Sequence, residues 1–198
     1  MESATADRSA LSPSPGLAPR ERILAKAGEL FYRFGIHTVG VDRIIKESDV
    51  AKMTFYKYFP SKSKLIAAYL RYRNELWLHA LREIAGRDAP VLDRILAVFD
   101  LLDHAFHAPD FQGCPFIKAS AEFGGDQQEQ EILSEIASHF QQTEDIISGL
   151  IGKLAVGPDL ARTTISLLFG SIIVAQSVGH TDIAQTNKTA VRILLSHI

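Results

Sequence analysis

Residues 41–62 read VDRIIKESDVAKMTFYKYFPSK, and the recurrence of apolar positions in this stretch decides the fold. Val41, Ile44 and Ile45 share one face of a short helix. Asp49 then ends it, because a short polar side chain tolerates the left-handed backbone conformation that a helix terminus uses. A second helix is expected to start near Val50, with Phe55 and Phe59 four residues apart and pointing inward. Lys52, Met53, Thr54, Tyr56 and Lys57 are left on an exposed arc that is basic, hydroxylated and aromatic. Two helices joined by about three to four residues, the second rich in hydrogen-bonding groups, have the geometry that enters a DNA major groove.

The flanks on both sides also read as helical. Upstream, a helix begins with Pro19 in its first turn and stops at Gly35, carrying Ile23, Ala27, Leu30, Phe31 and Phe34 at helical spacing. It braces the pair that follows, and the turn from Ile36 to Gly40 brings in Thr38, whose hydroxyl can meet a phosphate. Downstream, Ser61 is the expected N-cap of a helix that runs to about Gly86. Lys62 and Lys64 sit in its first turn, where the helix dipole disfavours cations unless a phosphate shares the site. Further helices are expected over about Val91–His107, Pro115–Phe123, Gln127–Leu154, Leu160–Val178 and Ile183–Ile198, with a break at Gly157-Pro158. No strand-period alternation or repeat interrupts them, so the fold class is all-α.

Charge divides the chain in the same place. Residues 20–73 hold 12 Lys or Arg against 5 Asp or Glu, a net +7, whereas residues 74–198 hold 8 against 16, a net −8. One segment is built to meet a polyanion and the other is not. Residues 1–18, with Pro13, Pro15 and Gly16 among Ser and Ala, are expected to form a disordered arm. A single cysteine, Cys114, and an opening without the apolar core of a signal peptide suit the cytoplasm.

The segment from Val50 to Lys62, V-x-K-x-T-F-Y-x-Y-F-x-x-K, closely resembles the DNA-binding signature of the TetR (tetracycline repressor) family, and the resemblance extends over about residues 19–70. Gly40 stands where that family usually caps a helix with Thr or Ser, Asp49 where Gly is usual, and Met53 where a small residue is common. The resemblance implies a helix-turn-helix domain over residues 19–66, followed by a bundle over residues 67–198 for ligand binding and dimerisation. It implies a double-stranded DNA operator, contacted through Thr38, Lys52, Met53, Thr54, Tyr56, Lys57, Tyr58 and Lys62. It also implies a small-molecule effector among helices four to eight, where Trp77, Phe99, Leu102, Phe106, Phe116, Phe123, Phe140 and Phe169 are the aromatic and aliphatic candidates for the lining.

Independently of the resemblance, the run LARTTISLLFGSIIVAQSV from Leu160 to Val178 is apolar nearly all round, so it is either central to a core or shared with a partner. It is not expected to span a membrane, because Thr163, Thr164, Ser166 and Gln176 interrupt a run already short of about 20 residues. With the last helix it suggests a four-helix interface between two copies, as the resemblance also implies, through Leu168, Ile172, Ala175, Val191, Leu194 and Leu195.

The remaining chemistry is sparse. Cys114 lies in the loop QGCPF, with His104 and His107 upstream, but neither a base held against the thiol nor a converging ligand set is legible. No phosphate-binding Gly-rich loop, nucleophile elbow or zinc signature is present, so neither an enzyme nor a cofactor is expected. The reading that results is a transcriptional regulator, a repressor released from a palindromic operator by a largely apolar ligand. The alternative is a small-molecule or thiol sensor, through Cys114, with weak DNA binding.

Overall fold

A computed structural model of the protein describes residues 16–154 and 158–196. Most of the expected N-terminal arm, the break at Gly157 and the terminal Ile198 lie outside these residues. Helix α1 spans Pro19–Phe34, α2 Val41–Glu47, α3 Lys52–Tyr58, α4 Lys62–Ala85 and α5 Val91–Phe106. Helix α6 spans Pro115–Phe123, α7 Gln130–Ile151 with a 3-10 turn over Gly152–Leu154, α8 Pro158–Val178 and α9 Ile183–Ser196. No strand occurs among the described residues, and the all-α expectation stands. Helix α7 starts three residues later than expected, because the Asp126 carboxylate accepts the Gln128 N–H at 3.0 Å and holds that stretch as a turn.

Packing divides the chain into two compact units. The first comprises residues up to Trp77 together with Pro115–His139; the second comprises Leu78–Cys114 and Phe140–Ile198. The boundary expected at residue 66 falls inside α4, and α6 with the start of α7 joins the helix-turn-helix segment in the first unit. No local pattern could announce this, because those residues lie some way along the chain from it.

In the first unit, Pro19 opens α1, and Glu21 closes its first turn by accepting the Ala18 N–H at 3.0 Å. Gly35 ends it with φ +84°, a left-handed value that costs a glycine nothing. Ile23, Ala27, Leu30 and Phe31 are buried as expected, and Phe31 meets Tyr69 edge-on at 5.6 Å. Phe34 departs from the expected apolar face: it is 40% exposed, with the Arg43 and Arg33 guanidinium groups over its ring at 4.4 and 5.1 Å. Stacked cations make an exposed ring tolerable. The start of α7 is tied to α4 by Lys64–Glu131 at 2.8 Å, Ser63–Glu129 at 2.7 Å and an Arg71–Glu135 pair.

Within the same unit, the imidazole of His139 is buried and stacks flat on Phe116, ring centroids 3.6 Å apart, while Nδ1 donates to Asn74 Oδ1 at 2.9 Å. Burial pushes its pKa down to about 3, so the ring is neutral at physiological pH. Asn74 is itself buried, and a buried polar pair of this kind persists because each group satisfies the other.

In the second unit, α9 packs against α5 and α8. Asn187 interrupts the apolar stripe of α9, and the bundle accounts for it: its Nδ2 donates to Ser171 Oγ at 2.9 Å and to the Leu167 carbonyl at 3.1 Å. Asp100 on α5 receives Lys188 at 2.5 Å and Gln185 at 3.2 Å from α9. By length and composition α8 could cross a membrane, with mean hydropathy 1.3 over Asp159–Val178, more apolar than its interrupting hydroxyls suggested. The core helix of a soluble protein has the same character, and α8 buries Ile165, Leu168, Ile172 and Ala175 inside the chain.

Candidate nucleic-acid interface

Helices α2 and α3 are joined by Ser48–Ala51. Asp49 adopts φ +51°, the only non-glycine residue with positive φ among those described, so the turn uses the left-handed conformation expected of it. Helix α3 begins at Lys52, two residues later than expected, because Ala51 is still extended and serves as the N-cap. Phe55 and Phe59 are buried, and they fix the rotation of α3. Burying each ring stabilises the unit by about 1.5–3 kcal/mol.

That rotation exposes Lys52, Met53, Tyr56, Lys57 and Tyr58, and leaves Thr54 half-buried. Met53 is 82% exposed and presents its apolar side chain beside the two lysines of the helix. The Lys57 ammonium lies 5.9 Å from the Tyr58 ring, and Tyr56 packs edge-on against Phe55 at 5.2 Å. The arc therefore offers two ammonium groups, two phenols and a methyl group side by side, the donor and apolar types that read base edges and phosphates.

Thr38 is exposed in the loop before α2. Gly40 caps α2 with no side-chain bond, and its carbonyl accepts the Ile44 N–H at 3.3 Å. At the start of α4, Ser61 Oγ accepts the Lys64 N–H at 3.2 Å, as expected of an N-cap. Lys62 is half-buried and donates from Nζ to the His37 carbonyl at 3.4 Å. Burial lowers its pKa, and the negative charge of Glu122 works in the opposite direction. The Lys64 ammonium is engaged by Glu131.

Sequence reading missed Glu122. Its carboxylate accepts the N–H groups of Ile36 at 3.1 Å and His37 at 2.7 Å, across about 85 residues of chain. The His37 ring donates to the Glu122 carbonyl at 3.2 Å and lies 4.6 Å from the Phe123 ring. A lone Glu at the end of a short helix carries no sequence signal for such a role.

The other expected sites are distributed as follows. Phe116 and Phe123 are core residues of the first unit, and Phe99, Leu102 and Phe106 are core residues of the second. Of the eight candidates for the lining only Trp77, Phe140 and Phe169 are half-buried; Phe140 and Phe169 meet edge-on at 5.1 Å within the second unit. The expected interface residues Leu168, Ile172, Ala175, Val191 and Leu195 are buried inside the single chain, so they have little surface left to give a partner. The apolar surface that α8 and α9 leave uncovered is Leu194, the sixth expected interface residue, together with Ile173, Val178 and Ile193. Cys114, the single cysteine of the chain, is half-buried, and its backbone N–H donates to Gln176 Oε1 at 2.9 Å. Gly113 beside it has φ +94° and abuts Gln176 so closely that a Cβ would collide. Among the described residues no group of three or more His, Cys, Asp or Glu could hold a metal ion.

Comparison with known proteins agrees with this geometry. Residues 23–69 match the family of bacterial regulatory proteins, tetR family. An uncharacterized HTH-type transcriptional regulator of Mycobacterium tuberculosis is 26% identical over 168 residues, 80% of this chain and 84% of that protein. The regulator RutR of Escherichia coli is 34% identical over 74 residues, 37% of this chain and 35% of that protein. Among solved structures, SCO4454, a TetR-family transcriptional regulator from Streptomyces coelicolor, superposes with a TM-score of 0.79 at 27% identity, covering 91% of this chain and 95% of that one. An exposed basic and aromatic helix on a buried Phe pair, a left-handed turn before it and relatives that are regulators along most of their length lead to one conclusion: residues 23–69 form a DNA-binding domain of the tetR family, and the chain is similar to TetR-family transcriptional regulators over most of its length.

Proposed function

We propose that the protein is a cytoplasmic repressor that binds a palindromic operator as a homodimer and is released by a small, largely apolar ligand. The observation that carries the DNA half of this reading is the orientation of α3, with Phe55 and Phe59 inward and Lys52, Met53, Tyr56, Lys57 and Tyr58 outward. Lys52, Thr54 and Lys57 read base edges, lysine through guanine O6 and N7 and the Thr54 and Met53 methyl groups against thymine. Thr38, Tyr56, Tyr58 and Lys62 meet phosphates and set the register. A dimer presents two such helices about 34–36 Å apart, or a multiple of that, on successive turns of DNA. Its contact surface is the uncovered apolar patch of Ile173, Val178, Ile193 and Leu194.

The effector sits in the second unit against the half-buried rings of Phe140 and Phe169. Helix α4 contributes residues to both units, which makes it the element through which a ligand can act on DNA binding. A coupling of about 1–3 kcal/mol changes operator affinity by about 5–150-fold, and operator must weaken ligand binding by the same factor. The test is a gel shift with the wild-type chain and the DNA upstream of its own gene. A discrete complex that Lys52→Ala abolishes or redirects supports the reading; smearing that is identical for both proteins and for unrelated DNA rejects it.

A further inference from the structure

The loop at residues 35–40 carries Thr38, and the half-buried Lys62 hangs from its His37 carbonyl. The α2 cap, Gly40, contributes no side chain to holding that loop. The anchor comes from α6: one Glu122 oxygen accepts the Ile36 N–H and the other the His37 N–H, while the ring of His37 is held by the Glu122 carbonyl and by Phe123. All of these groups belong to the first compact unit. Glu122 also faces two cations, acting against the effect of burial on Lys62 and Lys118, and Lys118 donates to the Tyr32 carbonyl at 3.2 Å.

We infer that Glu122 is the positioning residue of the phosphate-contacting loop: its carboxylate, shared by two successive backbone N–H groups, fixes the His37 carbonyl, and through it Lys62, where DNA phosphates arrive. The inference rests on the assignment of Lys62 and Thr38 to phosphates. A carboxylate suits this task because both of its oxygens accept, whereas glutamine would turn an NH2 toward one of the two N–H donors. Its negative charge beside DNA makes the test decisive in sign. By Coulomb's law alone, Glu122→Gln removes a repulsion and must strengthen DNA binding. If Glu122 positions the loop, the same change must weaken it.

The measurement is fluorescence anisotropy of the full chain with a labelled mixed-sequence duplex across a salt series, which reads phosphate contacts without needing the operator. Glu122→Gln should lower affinity roughly 10-fold, the scale of a lost hydrogen bond to a charged group. It should also flatten the slope of log affinity against log salt by about one unit. In a Lys62→Ala background the Glu122→Gln loss should shrink to about 2-fold or less, because the two residues act through one carbonyl. A loss merely from a weakened fold would instead be the same in both backgrounds, and that outcome overturns the inference. Unchanged or increased affinity in Glu122→Gln overturns it as well. A wild-type chain that binds no duplex at any salt removes the DNA-contact assignments and this inference together; wild-type binding with Glu122→Gln unaffected removes this inference alone.

Discussion

Helix α3 and helix α8 bury their apolar residues under opposite conditions, and the difference governs how each can be read. Helix α3 and its C-cap carry two inward rings, Phe55 and Phe59, on an otherwise polar or exposed circumference, so only one rotation satisfies it. Helix α8 carries apolar residues on every side, and its sequence accepts several rotations at nearly equal burial. The rotation it takes buries Leu168 and Ile172 in its own chain and leaves Ile173 48% exposed. The proposed function therefore uses the residual polar surface of the first unit, whereas in the second unit it uses apolar surface that the chain leaves uncovered.

The largest effects should come from the two cores, and they should be alike. Phe55→Ala and Phe99→Ala each remove a fully buried ring, at about 3–5 kcal/mol, measurable by urea denaturation. If Phe55→Ala cost far less than Phe99→Ala, the rotation of α3 would not be set by its rings, and the contrast would fail at its first term.

Next in size is the uncovered face. Ile193, 56% exposed, and Ile173 should each tolerate Asp within the folded chain, while several kcal/mol of dimer stability is lost to an unpaired charge in the interface. Multi-angle light scattering should then give the dimer mass for wild type and the monomer mass for the double variant, with unchanged helical circular dichroism. Ile172→Asp one residue away should unfold the bundle instead. A double variant that stays dimeric would move the interface elsewhere.

A smaller, pH-dependent effect belongs to His139. Its pKa is lowered by burial to about 3 in the folded chain against about 6.5 when unfolded, so between those values the unfolded state binds the extra proton. The stability contributed by the neutral ring is complete above about pH 6.5 and declines as pH falls toward 3, by at most about 1.4 kcal/mol per pH unit. Urea midpoints for wild type should drop more steeply from pH 6.5 to 5 than those of His139→Gln. Parallel pH curves would show that the ring is not held neutral.

The smallest effect is expected on the surface. Lys64→Ala breaks the pair with Glu131, both side chains being partly exposed, and should change stability by less than about 1 kcal/mol. Its DNA affinity should fall less than that of Lys62→Ala, since Glu131 already engages its ammonium. Equal losses of affinity in the two variants would return Lys64 to the phosphate contacts.

By itself the sequence determined the helices and the turn between α2 and α3. Pro19, Gly35, Asp49, Pro60 and Ser61 act on the backbone within a few residues of themselves, and the spacing of Phe55 and Phe59 sets one face of one short helix. Local rules suffice where the interacting groups are three or four residues apart. Only the tertiary structure decided that Phe34 is covered by arginines rather than by core, that Asn187 is satisfied by Ser171 and Leu167, and that His139 is paired with Asn74. It also decided which side of α8 remained bare and that Glu122 holds the loop before α2. Each of these depends on which donor, ring or helix face arrives from elsewhere in the chain, from 9 residues away for the guanidinium over Phe34 to 86 for the carboxylate at Ile36. No periodicity within a single segment encodes that arrival, because it is settled by how whole helices pack to exclude water from their apolar faces.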